Sequence, residues 1–169
     1  MPTVDDWVRL YSSDNRTIRI RAAKGLLERY DEAPLSVLID ILIHLSHEGL
    51  GQKAMKSLSN RTDERLVPEM IELLRSDDPW LREAACQILG HKGNTVATQH
   101  LLAMLDDPHV MVRRAAGFGL ASLKDQSSLE QLRNQYERHK GDDINVLWAL
   151  ECALRSLGVH QATEADGSI

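Results

Sequence analysis

Few side chains in this sequence combine the residue types and the spacing that metal or nucleophilic chemistry requires. His44, His47 and Glu48 come closest, because imidazole and carboxylate groups are common ligands of zinc and iron. No third ligand follows them at a recognisable spacing. Glu48 also suits the start of a helix, where the positive end of the helix dipole stabilises a carboxylate. We therefore predict neither a metal site nor a bound cofactor.

Adjacent carboxylates could act as a general acid and a general base, and several such pairs occur along the chain. They include Asp77-Asp78, Asp106-Asp107 and Asp142-Asp143. All three lie in predicted turns, where an aspartate caps the next helix and a following proline suits its first turn. The sequence has no glycine-rich phosphate loop, nucleophile elbow or cysteine–histidine dyad. We therefore predict no catalytic residues, and a non-enzymatic role is favoured over an enzymatic one.

The composition favours helices and argues against some classes of protein. Of the 169 residues, 43% are hydrophobic but only 4% are aromatic, and leucine and alanine are abundant. Leucine and alanine favour helices over strands. The net charge of −5 argues against a protein whose main task is to bind phosphate backbones. Cys86 and Cys152 stand alone in helical patterns, which predicts buried free thiols.

Targeting signals are not evident in the sequence. The N-terminal residues do not contain a basic segment followed by an apolar stretch, as a secretory signal would. The most apolar stretch, residues 33–45, includes Asp40 and His44 and is too short to cross a bilayer. These features predict a cytoplasmic protein that does not contact membranes.

The helices that must position these residues recur with a period of 31 residues. At this spacing there is an alanine column (Ala23, Ala54, Ala85, Ala116) and a leucine column (Leu27, Leu58, Leu89, Leu120). Within each copy the apolar residues fall at i, i+3, i+4 and i+7, which is one face of an α-helix. Each copy is therefore predicted to be two helices, and its small alanine lets neighbouring helices approach closely.

We predict one domain of about five helical hairpins over residues 4–158. The predicted repeats are 4–29, 34–59, 64–90, 95–123 and 127–157. The predicted helices are 4–12, 16–29, 34–46, 49–59, 64–75, 79–90, 95–105, 109–123, 127–139 and 143–157. The first and last copies depart from the period, as end repeats with a single neighbour do. Residues 159–169 have no apolar pattern and are predicted to be a disordered tail.

Two segments, DDPWLREAACQILG (77–90) and DDPHVMVRRAAGFGLASL (106–123), resemble HEAT repeats of the short type first noted in phycobilisome lyases. The family pattern is a leucine-rich helix, an aspartate–proline turn, and a second helix with a Val-Arg step and spaced alanines. Leu81-Arg82 and Val112-Arg113 match the Val-Arg step. The resemblance implies an all-α fold, a right-handed α-solenoid. It also implies that Arg82 and Arg113 pair with aspartates of the interhelical turns.

His47-Glu48 also resembles the His-Glu iron ligands of deoxyhypusine hydroxylase, another HEAT-like protein. That enzyme class implies several His-Glu pairs around two metals. This sequence has a single pair, and the pair is shifted from the family's position. The prediction therefore remains that no metal is bound.

The HEAT resemblance implies that the second helices line a concave surface to which a partner binds. Residues two positions before and after the alanine column are predicted to point toward that surface, Gly25 among them. The predicted partner-binding residues are Arg21, Gln52, Lys56, Trp80, Glu83, Gln87, Arg114 and Phe118. Phe118, the only phenylalanine, has two interpretations: an anchor for a partner, or packing against the neighbouring repeat.

These observations predict a non-catalytic module, favoured as a monomer, that binds a protein partner on a preformed surface. One alternative is a chromophore lyase or chaperone subunit similar to the phycobilin lyases, which the repeat type permits. A less favoured alternative is a nucleic-acid-binding protein similar to the HEAT-like DNA glycosylases. Such a protein needs a continuous basic groove, which Glu83 and Gln87 would interrupt.

Overall fold

A computed structural model describes residues 2–141 and 143–159 of the chain. These residues form ten α-helices and no strand. The helices are α1 (Val4–Tyr11), α2 (Arg16–Glu28), α3 (Leu35–His44), α4 (Gly51–Asn60), α5 (Leu66–Leu73), α6 (Pro79–Lys92), α7 (Thr98–Met104), α8 (Val110–Leu123), α9 (Leu129–Arg138) and α10 (Ile144–Ser156). All ten lie where the repeat pattern predicts a helix. The predicted tail, from His160 onward, lies outside the described residues.

The helix boundaries depart most from the prediction at α7. The segment Thr95–Ala97, predicted as its first turn, is instead a short 3-10 helix. The side chain of Asn94 accepts a hydrogen bond from the backbone N–H of Val96 at 3.0 Å and so caps this turn. Because the cap acts on the 3-10 turn, the α-helix itself begins only at Thr98.

The repeat columns form the core, as predicted. All four members of the alanine column are fully buried, and those of the leucine column are at most 7% exposed. The described residues divide into two compact parts, and the boundary lies between residues 66 and 67. We call them the N-terminal part, which contains α1 to α4, and the C-terminal part, which contains α6 to α10. Helix α5 begins at the boundary between them.

In the N-terminal part, α1 packs closely on α2 because Gly25 has no side chain. A Cβ atom at Gly25 would lie 2.5 Å from Cε2 of Trp7, which is closer than real contacts allow. Tyr11 ties α1 to the next helical pair, since its hydroxyl donates a hydrogen bond to Asp40 on α3. The prediction that Gly25 points toward a binding surface is therefore wrong: Gly25 is buried under an indole ring.

In the C-terminal part, the second helices of successive repeats touch backbone to backbone. A Cβ atom on Gly90 of α6 would lie 2.5 Å from Cα of Gly119 on α8. A Cβ atom on Gly117 of α8 would lie 2.8 Å from Cβ of Ala149 on α10. Small residues at these crossings thus hold α6, α8 and α10 together in a sealed layer.

The two Asp-Asp-Pro segments differ in structure, which corrects the prediction that both cap a helix in the same way. Asp78 is the N-cap of α6, and its side chain accepts a hydrogen bond from the N–H of Trp80 at 2.9 Å. Helix α8 has His109 at its N-cap, with no side-chain cap. Asp107 lies two residues earlier and accepts from the N–H of His109 at 2.8 Å. The segments are 29 residues apart rather than 31, so their aspartates occupy different positions in the turn.

Candidate functional site

The arginines of the Val-Arg step stabilise the interhelical turns. Nε and Nη2 of Arg82 donate hydrogen bonds to the two carboxylate oxygens of Asp107, at 2.7 and 2.9 Å. Nη1 of Arg82 donates to the backbone oxygens of Ser76 and Asp77. One period later, Nη1 of Arg113 donates to the backbone oxygens of Asp107 and Pro108. The aspartate pairing that the resemblance implies is therefore confirmed for Arg82, whose partner is Asp107, and Arg113 binds backbone oxygens of the same turn.

The ion pair between Arg82 and Asp107 is buried, since the two side chains are 13% and 4% exposed. Burial alone would raise the pKa of Asp107, but hydrogen bonds from Arg82 and from the N–H of His109 lower it below its ordinary value. Hydrogen bonding to Asp107 likewise raises the pKa of the Arg82 guanidinium. Both groups thus remain charged at neutral pH and serve the fold.

Glu48, half of the His-Glu pair, forms an ion pair with Arg16 at the start of α2. Its neighbour His47 lies in a 3-10 turn, Ser46–Glu48, rather than in a regular helix. Within the described ranges, no three histidine, cysteine or acidic side chains gather in a group that could hold a metal ion. The carboxylate singled out for metal chemistry is therefore held by an arginine.

The predicted binding residues of the N-terminal part are exposed on its second helices. Arg21 lies on α2, and Gln52 and Lys56 lie on α4. Lys56 borders a cavity of about 280 Å³ between the two helices, which we call the α2–α4 cleft. The residues that line the cleft are Lys24, Leu27, Glu28, Tyr30, Lys53, Lys56, Ser57 and Asn60.

The predicted binding residues of the C-terminal part lie on α6 and α8. Glu83 and Gln87 are one turn apart on α6, where the Gln87 amide donates a hydrogen bond to the Glu83 carboxylate at 3.0 Å. Trp80 at the start of α6 is half-buried, as is Arg114 on α8. Each polar member thus reaches solvent, but only Glu83 and Gln87 are joined to each other by a hydrogen bond.

Phe118 is half-buried and packs edge-to-face against Trp148 of α10, with ring centroids 5.2 Å apart and an interplanar angle of 79°. Packing against the neighbouring repeat, one of its two interpretations, is therefore realised. Trp148 itself is 55% exposed, and Ile144, one turn earlier on α10, is 74% exposed. We call Phe118, Ile144 and Trp148 the aromatic patch.

The two cysteines differ in access. Cys86 is fully buried on α6, and this burial raises the pKa of its thiol to about 12. Cys152 on α10 is only half-buried, which corrects the prediction that both thiols are enclosed.

Sequence reasoning missed some residues that the structure brings to these surfaces. Lys24 and Lys53 border the α2–α4 cleft beside Lys56, and Trp148 and Ile144 complete the aromatic patch. The lysines could have been found, because Lys24 directly follows Ala23 and Lys53 directly precedes Ala54 of the repeat column. The patch could not, since the irregular last copy aligns with the period in more than one way.

A comparison with known protein families identifies the repeat. The sequence profile of the family described as HEAT repeats matches residues 35–117. Residues 35–117 are HEAT repeats. No curated protein matches the chain in sequence.

Among solved structures, one match is "The structure of the complex of CpcE and CpcF of phycocyanin lyase from Nostoc sp. PCC7120". The sequences are 21% identical and the TM-score is 0.68. The match covers 93% of this chain but 65% of that one, so the chain spans about two thirds of its neighbour's length. The likeness shows the fold, and it confirms the predicted class, an all-α solenoid of helical hairpins.

The described helices are short or carry charged residues, as helices of a repeat protein do. None of them is both long enough and apolar enough to cross a bilayer.

Proposed function

We propose that this HEAT-repeat protein is a non-catalytic module that binds a protein partner on the second helices of its repeats. The observation that carries the proposal is the aromatic patch, because Trp148 and Ile144 expose large apolar surfaces on a helix whose other face is packed. Tryptophan and other aromatic side chains supply much of the binding energy in protein interfaces. Phe118 holds the Trp148 ring in place by the edge-to-face contact, so the patch is ordered before a partner arrives.

The polar residues predicted from the sequence would form the rim of this interface. Glu83, Gln87 and Arg114 lie on α6 and α8, the second helices that precede α10 in the C-terminal part. Rim residues of mixed charge contribute specificity more than affinity. The predicted partner is therefore a protein whose apolar group covers Trp148 and whose polar groups match this rim.

A capture experiment with two matched variants tests the proposal. The tagged protein, a Trp148→Glu variant and a Val96→Glu variant are each incubated with an extract of the source cells, and bound proteins are quantified by mass spectrometry. Val96 is 65% exposed and lies in the 3-10 turn before α7, outside the aromatic patch. The Val96→Glu variant therefore controls for the loss of an exposed apolar side chain. We expect one partner to be captured in equal amounts by wild type and Val96→Glu. Trp148→Glu should capture at least tenfold less of it.

The captured partner is then purified and titrated by calorimetry against the three proteins, whose folding is checked by circular dichroism. Equal affinity of all three for the partner would show that the aromatic patch is not the binding surface.

A second candidate is a lyase-like subunit, which the likeness to the phycocyanin lyase complex favours. That neighbour is a complex of two chains, so this candidate also requires a protein partner. Its test is the absorbance of a bilin mixed with its acceptor protein, with and without the HEAT-repeat chain. A shift of the absorbance and transfer of the bilin to the acceptor, both dependent on the chain, would establish the lyase-like role in place of a purely scaffolding one.

Nucleic-acid binding is the third and weakest candidate. The Glu83 carboxylate beside Gln87 lies on the face where a basic track would be needed. Retention on duplex DNA at about 0.15 M salt, with a steep dependence on salt concentration, would place this candidate first.

A further inference from the structure

The α2–α4 cleft exists because two positions that are glycine in the C-terminal part carry side chains in the N-terminal part. Two periods before Gly90 and Gly119, the sequence has Glu28 and Ser57. The two glycines bring α6 and α8 into backbone contact, whereas Glu28 and Ser57 both line the cavity between α2 and α4. Side chains at these positions keep the second helices apart, and the space that remains is open to solvent.

The inner wall of the cleft is apolar, with one hydroxyl group. Leu27 is 7% exposed and Ser57 is 6% exposed, and both border the cavity. Among the residues that the structure describes, the Ser57 hydroxyl has no hydrogen-bond partner. Because Ser57 borders the cavity, its hydroxyl is open to water or to a group bound there.

The rim of the cleft is basic. Lys24, Lys53 and Lys56 border it, and within the described residues none of the three forms an ion pair or a hydrogen bond. Glu28 is the one carboxylate in the lining. Lys140 of the C-terminal part, by contrast, forms an ion pair with Glu137 at 2.6 Å. The cleft therefore combines an excess of positive charge with an apolar interior, which is complementary to an apolar group flanked by carboxylates.

The volume of the cleft limits the occupant. Sites for drug-sized ligands and cofactors enclose roughly 300 to 1,000 Å³, so a cavity of about 280 Å³ lies just below that range. It accommodates one or two side chains rather than a large planar cofactor. A peptide segment meets this limit, because its backbone lies outside while a single apolar side chain enters.

We propose that the α2–α4 cleft binds an acidic segment of a partner protein. An apolar side chain of the segment lies over Leu27, and its flanking aspartates or glutamates contact Lys24, Lys53 and Lys56. A backbone group of the segment bonds the Ser57 hydroxyl. This inference rests on the proposed function and specifies one class of partner for it.

Selection from a random 12-residue peptide library displayed on phage tests the proposal. The targets are the wild-type protein, a Lys53→Glu/Lys56→Glu variant, and a Lys124→Glu/Arg133→Glu control that reverses two exposed charges in the C-terminal part. We expect wild type and the control to enrich peptides with an apolar residue between acidic residues, and the cleft variant not to enrich them. Failure of wild type to enrich any peptide, or enrichment of peptides without acidic residues, would overturn the proposal.

The most enriched peptide is then synthesised with a fluorescent label, and its binding is measured by anisotropy. We expect binding at least tenfold weaker for the cleft variant and for the milder Lys53→Gln/Lys56→Gln variant, which removes the positive charges without adding negative ones. Replacing the glutamates of the peptide by glutamine should have a similar effect, and raising NaCl from about 0.05 to 0.5 M should weaken binding. Equal binding by wild type and both cleft variants would contradict the proposal, as would displacement by a 12-nucleotide single-stranded DNA at the same concentration as the unlabelled peptide.

The outcomes distinguish this inference from the proposed function. If a captured partner depends on Trp148 but no acidic peptide depends on the lysines, the cleft proposal fails alone. If the peptide depends on the lysines and no partner depends on Trp148, the aromatic patch is rejected as the docking surface while the cleft remains.

Discussion

The second helices of the two parts carry the same repeat columns but meet in different ways. In the C-terminal part, Gly90 and Gly119 allow α6 and α8 to touch through their backbones. In the N-terminal part, Glu28 and Ser57 at the corresponding positions leave a cleft between α2 and α4. The buried alanines and leucines are shared by both parts, so they specify the fold. The residues at the helix crossing decide whether the surface is closed or open.

The interhelical turns of the two parts are also held by arginines in different ways. Arg82 of the C-terminal part binds a buried carboxylate, Asp107, through two hydrogen bonds. Arg61 of the N-terminal part lies at the end of α4 and donates to the backbone oxygens of Tyr30, Asp31 and Ala33. It also binds Asp63, which is more exposed than Asp107. One part thus relies on a buried ion pair, whereas the other relies on backbone acceptors.

The largest effect is expected for Arg82→Ala. The variant leaves the Asp107 carboxylate buried without its cation, and such a loss costs about 3–5 kcal/mol. Arg61→Ala should cost less, about 1–3 kcal/mol, because its backbone acceptors are neutral and its carboxylate partner, Asp63, is more exposed than Asp107. Urea denaturation followed by circular dichroism gives both values. Equal losses would remove the proposed difference between the two kinds of turn.

Core truncation should affect both parts alike. Leu58 in the N-terminal part and Leu89 in the C-terminal part are both fully buried members of the leucine column. Replacing either by alanine should cost roughly 2–5 kcal/mol, since each leaves a cavity. Thermal and urea unfolding measure the change. A loss under about 1 kcal/mol at either site would mean that the column is not core in that part.

Gly90→Ala tests the sealed contact directly. Its Cβ would lie 2.5 Å from a backbone atom, so the helices must separate, and overpacking of this kind costs about 1–3 kcal/mol. Gly141→Ala is the control, because no atom lies within 4 Å of the added carbon. Calorimetric melting of the two variants makes the comparison. If Gly90→Ala melts like the control, close approach of α6 and α8 does not depend on glycine.

Phe118→Ala separates packing from surface exposure. The ring is half-buried and forms one aromatic pair, so we expect a loss of about 1–2 kcal/mol, below the roughly 3–5 kcal/mol of a core phenylalanine. The Trp148 ring would also lose its fixed orientation, which near-ultraviolet circular dichroism detects. A loss above about 3 kcal/mol would assign Phe118 to the core instead of to the aromatic patch.

The smallest effect is expected in the dependence of the free energy of unfolding on acidic pH. The pKa of Asp107 is lowered in the folded protein, so its ion pair stabilises the fold above the unfolded pKa of about 3.9. This stabilisation is lost as the pH falls through the lower, folded pKa. We expect the free energy of unfolding to fall below about pH 4 in wild type, and less steeply in Arg82→Ala. Urea titrations at a series of pH values measure both slopes, and parallel slopes would exclude a contribution of the pair.

The repeat period was sufficient to predict the helices and the core. Ala85 and Leu89 are buried because their spacing places them on one helical face, a property that a single sequence displays directly. The role of Arg82 and Arg113 in the turns was implied by the resemblance to HEAT repeats rather than by the period. The period alone was not sufficient for the turns. The prediction failed for the aspartate–proline turns because the similarity of the two motifs aligned Asp78 with Asp107, whereas the period aligns Asp78 with His109. Only the hydrogen bonds distinguish the two positions.

The candidate surfaces were harder to predict for a physical reason. A cavity depends on which side chains from different helices face each other, and a periodic pattern within one chain does not contain this information. Ser57 occupies the position that corresponds to Gly119, and only the structure shows that this position lies where two second helices cross. Gly25 failed likewise, since its burial depends on Trp7 from another helix.

The unequal burial of the two cysteines allows partner binding to be measured with a dye on a natural cysteine. Cys86 is enclosed, and the raised pKa of its thiol keeps it in the unreactive thiol form at neutral pH. Cys152 is half-buried and lies one helical turn after Trp148. A thiol-reactive dye should therefore label Cys152 alone, beside the aromatic patch and without any engineered substitution. The emission of the dye would change when a partner binds at the aromatic patch, so the natural sequence already carries an attachment site for a binding sensor.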